Sequence, residues 1–189
     1  MKELFFKRPV RNWLALVGTA TIVIGTCYTT VQQSTRLAVD DAPLALAQSI
    51  KLQLENGDTP NDSVPATSIN LRTNTNPFTI ITDSSRHVLA SSANLDGQSP
   101  LPPKGVFDYT AQNQTDHFTW EPANGVRLAT RVMTYSKDQN SGFIITGQSL
   151  APAEDRINTY GLLALAAWLA VMAWSFLTLI LPERRLKTK

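Results

Sequence analysis

From Asn12 to Thr35 no charged side chain occurs, and the apolar part, Trp13 to Val31, would rise about 28 Å as a helix, close to the thickness of a bilayer's hydrocarbon core. A second uncharged run, Ile157 to Pro182, contains YGLLALAAWLAVMAWSFLTLIL from Tyr160 to Leu181 and is the stronger signal. Both are long enough to span. The pattern divides the chain into a tail 1–11, a helix 12–35, a folded domain 36–156, a second helix 157–182 and a tail 183–189. Thr21 with Gly25, and Ala166 with Ala170, stand four apart and are candidates for close helix approach.

Inside the domain the period changes twice. Arg36 to Asn56 reads as helical, with Leu37, Leu44, Ala47, Ile50 and Leu54 close to one stripe, and Asn56-Gly57 stops it. Pro43 either kinks this helix or lies in the first turn of a new one capped at Asp40 or Asp41. Residues to Pro77 read as loop, with one short turn near Thr67 to Leu71. Phe78 to Thr82 and Val88 to Ser92 are short β-rich runs around Asp83-Ser84-Ser85-Arg86-His87, a hairpin signature. Leu95 to Gly105 is irregular, and Val106 to Gln112 is a short helix. A meander of three strands follows, at His117 to Glu121, Val126 to Ser136 and Gly142 to Leu150. In the middle strand Val126, Leu128, Thr130 and Val132 alternate with Arg127, Ala129 and Arg131, which predicts one apolar face and one wet face. Pro152, Glu154 and Asp155 then start a helix that runs into the second span.

Charge orients this arrangement. The chain carries +2 overall, but each tail holds +3 and residues 33–158 hold −4. Basic residues flank the spans on their outer sides, so the positive-inside rule expects an inner-membrane protein with both termini cytoplasmic and the domain extracytoplasmic. An acidic middle disfavours nucleic acid as a partner. No small-x-small cleavage site follows Val31, so the first run reads as retained rather than as a signal peptide. Cys27, the sole cysteine, lies inside that run and excludes an intrachain disulfide.

The order of helix, two strands, connecting segment, three antiparallel strands and exit helix predicts an α+β fold with a five-stranded antiparallel sheet and a long N-terminal helix. At Ile80-Ile81-Thr82-Asp83-Ser84-Ser85-Arg86-His87-Val88-Leu89-Ala90-Ser91-Ser92 the chain resembles the D-x-x-G-x-hydrophobic-x-x-S hairpin of the extracytoplasmic Cache or PAS-like sensor domains of bacterial two-component histidine kinases and chemoreceptors. Gly142 to Leu150 is similar to their closing strand, although His87 stands near the position of a turn glycine. The resemblance implies a sensor-like domain that binds a small molecule or a partner and signals through its membrane helices. Such kinases continue past the second span into a catalytic module; here a separate effector is expected, reached through a membrane-protein partner or a homodimer.

No phosphate-cradling glycine loop, metal-spaced His/Cys cluster or nucleophile elbow is present in the sequence, which points away from an enzyme and toward no cofactor. His87 and His117 read as surface residues, and Asp83 and Ser84 as turn builders. A PAS-like sheet leaves a concave pocket on one face, which Phe107, Tyr109, Trp120, Tyr135 and Phe143 are available to line, and Trp120 and Phe143, each alternating with polar neighbours along its strand, are expected on the buried sheet face. Arg127 and Arg131, on the same strand face, are candidates to clamp a carboxylate. The alternatives are that the aromatics are core and the arginines a solvated face, in which case the chain is a structural or accessory subunit that docks on another membrane protein.

Overall fold

A computed structural model describes residues 8–137 and 140–179. Most of both expected tails, the last residues of the second apolar run, and Asp138-Gln139 of an expected turn lie outside these residues. The chain forms two compact units. One comprises the chain through Ser34 and from Asp155 onward, and the other is Thr35–Glu154.

The first unit is a pair of helices, α1 (Arg8–Ala38) and α5 (Ala151–Leu179). Each has the length and apolar composition needed to cross a membrane. Within the unit Trp13 meets Phe176 edge to face with centroids 6.2 Å apart, and Trp168 Nε1–H donates to Thr21 Oγ1 at 2.8 Å. Tyr28 lies against Gly161, where an added Cβ would come within 3.3 Å of its hydroxyl. As the contact positions climb α1 they descend α5, so the helices are antiparallel. Thr21 takes part, but Gly25, Ala166 and Ala170 are exposed, contrary to the expectation from spacing. Bulky Trp13, Tyr28 and Trp168 fill the seam instead, and the small residue that makes room is Gly161.

The second unit is α+β. After α1 the chain turns at residues 39–40 and α2 (Asp41–Asn56) begins, with Pro43 in its first turn where no helical donor is needed. Of the expected stripe, Ala47, Ile50 and Leu54 are buried, together with Pro43. Leu37 is 69% exposed because it precedes the break and belongs to α1. Gly57 closes α2 in the left-handed conformation, its N–H donating to the carbonyls of Gln53 and Leu54.

Five strands form an antiparallel sheet: β2 (Phe78–Asp83), β3 (Val88–Ser91), β5 (Thr115–Ala123), β6 (Val126–Lys137) and β7 (Asn140–Ser149), in the order β3-β2-β7-β6-β5. The meander and the hairpin expected from the sequence are therefore joined edge to edge through β7 and β2. The region expected to be loop holds more structure than its composition announces. A short helix α3 (Pro60–Ser63) is capped by Thr59, and β1 (Ile69–Asn70) pairs in parallel with β4 (Ala93–Asn94). Arg72 fastens the same neighbourhood by a bidentate pair with Asp96, at 2.8 and 2.7 Å. Helix α4 (Lys104–Asn113) follows the irregular segment.

Both faces of the sheet are covered. Phe78, Ile80, Trp120, Val126, Leu128, Val132, Phe143 and Ile145 form one core with Phe107 of α4 and with Ile69, Leu71 and Leu95. On the other face Ile81, Tyr135 and Ile144 pack with Ala47, Ile50 and Leu54 of α2. The face expected to be wet is thus closed by a helix distant in sequence. Along β6 only Arg127 and Arg131 interrupt it, while Ala129 between them is buried. Two glycines make the central strand possible. A Cβ on Gly142 would overlap the Thr82 carbonyl, and one on Gly147 would strike the Phe78 ring at 2.6 Å.

Trp120 and Phe143, each 8% exposed, sit in the first core as the strand parity predicts. Phe143→Ala removes an aromatic ring packed edge to face against Phe107 and lowers the unfolding free energy by about 3–5 kcal/mol, whereas Leu52→Ala stays within about 0.5 kcal/mol. Leu52 is 61% exposed on α2 and serves as the control. Urea unfolding of the detergent-solubilised chain, followed by fluorescence, measures both.

Candidate functional site

The seven candidate residues divide between the two sheet faces and the surface. Phe107 is buried and meets Phe143 edge to face, with centroids 5.1 Å apart and planes at 77°. Trp120 belongs to the same core. Tyr109, two positions from Phe107 and so on the opposite side of α4, is 52% exposed. Arg127 pairs with Glu154, and its own carbonyl accepts the Leu150 N–H at 2.9 Å, so it ties β6 to the start of α5. Arg131 reaches Thr115 Oγ1 at 3.4 Å on the neighbouring strand. Tyr135 is buried on the α2 face, and its hydroxyl donates to the Thr82 carbonyl at 3.3 Å.

Of the seven, Tyr135 alone lines an open groove of about 510 Å³ at one end of the sheet. Its walls come from the end of α2 and the turn into α3 (Leu54, Gly57, Asp58, Thr59, Pro60), the β2–β3 hairpin (Asp83, Ser84, Leu89) and the β6–β7 hairpin (Lys137, Asn140, Ser141). Each element arrives for a local reason. Gly57 has φ +114°, which suits glycine, and the Lys137 ammonium packs over it, close to the carbonyl end of α2 where a cation is favoured. Asp83 builds its hairpin as the sequence suggests: Oδ1 accepts the His87 N–H at 2.8 Å, Oδ2 faces His87 Nδ1 at 3.2 Å, and Arg86 takes a positive φ.

These contacts set the electrostatics. The His87 backbone N–H holds the Asp83 carboxyl below the usual carboxylate range. Burial, and then the Asp83 charge, push Tyr135 above the usual tyrosine range. The groove is lined by the acidic side chains of Asp58 and Asp83, the basic side chain of Lys137 and the Tyr135 phenol, with Leu54 and Leu89 as its apolar members. Among the described residues no group of three or more His, Cys, Asp or Glu side chains is arranged to hold a metal ion. Sequence reasoning named Asp83 only as a turn residue and passed over Lys137. The signal for Lys137 is long-range, since it lies 80 positions from the helix end it covers.

No family model matches this chain, and no curated protein matches it.

Tyr135 gives the site a measurable signature. Its raised pKa favours the neutral phenol in the folded state, so its contribution is complete below about pH 10 and is lost as pH rises through the folded value. Tyr135→Phe removes that alkaline loss and costs about 1 kcal/mol at neutral pH through the missing hydrogen bond. Denaturation midpoints of both proteins between pH 7 and pH 11 check this, and parallel curves would contradict it.

Proposed function

We propose that the chain is a two-pass membrane protein with both termini cytoplasmic, whose Thr35–Glu154 unit is an extracytoplasmic, Cache/PAS-like binding module acting through a separate effector. One observation carries the reading. A single α+β domain with a five-stranded antiparallel sheet and a long N-terminal helix is bracketed in sequence by two helices long and apolar enough to cross a bilayer. The basic residues Arg8 and Arg11 before the first apolar run and Arg184 and Arg185 after the second support the orientation. A binding event on such a module leaves through helix contacts in the bilayer or through the domain's outer surface.

A second reading, an accessory subunit that docks on another membrane protein and takes no small molecule, draws on a specific finding. The sheet face on which a sensor pocket was expected is filled by Phe107, Trp120 and Phe143. Under either reading the working surface is the rim of the domain, which includes the groove beside Tyr135 and the sheet edges.

Topology is tested in a Cys27→Ser background with single cysteines at exposed Asp108 and Arg11. The expected result is that an impermeant maleimide labels Asp108→Cys on intact cells and Arg11→Cys only after lysis. Labelling in the reverse order, or a mature protein that has lost the Arg11 cysteine to signal cleavage, would overturn the two-pass reading.

A further inference from the structure

Among the described residues, strand β5 is an edge strand nine residues long, paired only with β6. In an antiparallel ladder, residues that direct both main-chain groups at the partner alternate with residues that direct them away. Just before β5 the Thr134 N–H donates to the Gln114 carbonyl at 3.0 Å. Even-numbered residues of β5 up to Trp120 therefore address β6, and Thr115, His117 and Thr119 turn their N–H and C=O outward. His117 agrees, because its N–H is taken by the Asp116 carboxylate at 2.8 Å rather than by β6. Pro122 lies in the irregularity between Trp120 and Ala123, beyond this outward run, and removes no donor from it.

We infer that the outward edge of β5 is the surface on which a second copy of this chain pairs, antiparallel and centred on Thr119, making one sheet continuous across the two domains. The inference deepens the proposal that the chain works in association, by naming the surface and the occupant. Self-complementarity selects both. About a two-fold axis at Thr119, Phe118 lies opposite the partner's Trp120 on one face, and His117 lies opposite the partner's Glu121 on the other, at the edge of the irregularity, where the Glu121 carboxylate also accepts the Gly125 N–H at 3.0 Å. Imidazole faces carboxylate and aromatic faces aromatic, both favourable cross-strand pairs, while the Thr119 pair exchanges two main-chain hydrogen bonds. Centring one residue earlier sets Asp116 against the partner's Trp120, and centring two earlier sets His117 against itself. Phe118 is only partly buried at the margin of the core and gains cover from the incoming strand. The Asp116 carboxylate guards the edge, as charges on edge strands commonly do, and has to release the His117 N–H for pairing to occur.

The test uses the full chain with Cys27→Ser in its membrane or in mild detergent. Oxidation of Thr119→Cys is expected to give a product of twice the chain mass, and co-expressed His117→Cys and Glu121→Cys chains are expected to cross-link to each other. Thr119→Pro removes an outward N–H that β6 does not use, so it is expected to weaken self-association about ten- to a hundredfold by analytical ultracentrifugation while the melting temperature moves by less than about 3 °C. His117→Glu, on an exposed position, sets two carboxylates opposite each other and is expected to weaken it as well, which keeps the test decisive if the proline variant does not fold. Asp116→Ala is expected to strengthen association. A Thr119→Cys chain that forms no doubled product, or one of another mass because a different protein occupies the edge, overturns the inference, as does undiminished self-association in both Thr119→Pro and His117→Glu. The cysteine-topology experiment is independent of this outcome.

Discussion

Strand β7 is hydrogen-bonded to β2 on one side and β6 on the other, and its residues from Gly142 to Gly147 are all buried. Phe143 and Ile145 point into one core and Ile144 into the other, so each residue of the strand serves a different layer from its neighbour. A strand buried on both faces can sit between its partners only if nothing crowds the ladder. Gly142 gives way to the Thr82 carbonyl, and Gly147 leaves the space that the Phe78 ring occupies. Thr146 adds a polar tie on the α2 face by donating to the Pro43 carbonyl at 2.8 Å, which anchors the first turn of α2 to the sheet centre. The two cores, the placement of α2 and the junction of hairpin with meander all follow from this strand.

That dependence explains which parts of the molecule could be read from sequence. Strand parity located Trp120 and Phe143, the turn chemistry of Asp83 located the first hairpin, and Pro43 marked the start of α2, because each is a local constraint written in adjacent residues. The faces could not be assigned in the same way. Alternation along β6 says that Arg127, Ala129 and Arg131 share a face, but not that Ala47, Ile50 and Leu54 of a helix some 80 residues away cover its other end. Short elements held by tertiary contacts were equally silent, as α3, β1 and β4 show. In the helix pair, spacing of small residues suggested Gly25, Ala166 and Ala170, whereas aromatic side chains and Gly161 determine the seam. The groove was legible only at Tyr135, since its walls come from three separate stretches of chain.

The same packing limits where function can reside. A sheet whose two faces are spent on aromatic and aliphatic cores leaves little apolar surface for a deep ligand chamber, and the arginines that a sensor pocket would employ are engaged with Glu154 and Thr115. Chemistry that remains available is at the rim: the mixed-charge groove at the end of α2 and the outward main chain of β5. Both are positioned by rigid elements rather than by long loops, which suits recognition of a defined partner.

If β7 is the element on which the fold depends, its amides open only when the whole domain unfolds. Hydrogen–deuterium exchange of the intact chain in a bilayer mimic, resolved to single amides, measures this directly. The account predicts that Phe143 to Gly147 exchange slowest of all domain residues and in step with global unfolding. Exchange of β7 by local opening, well ahead of global unfolding, would contradict it.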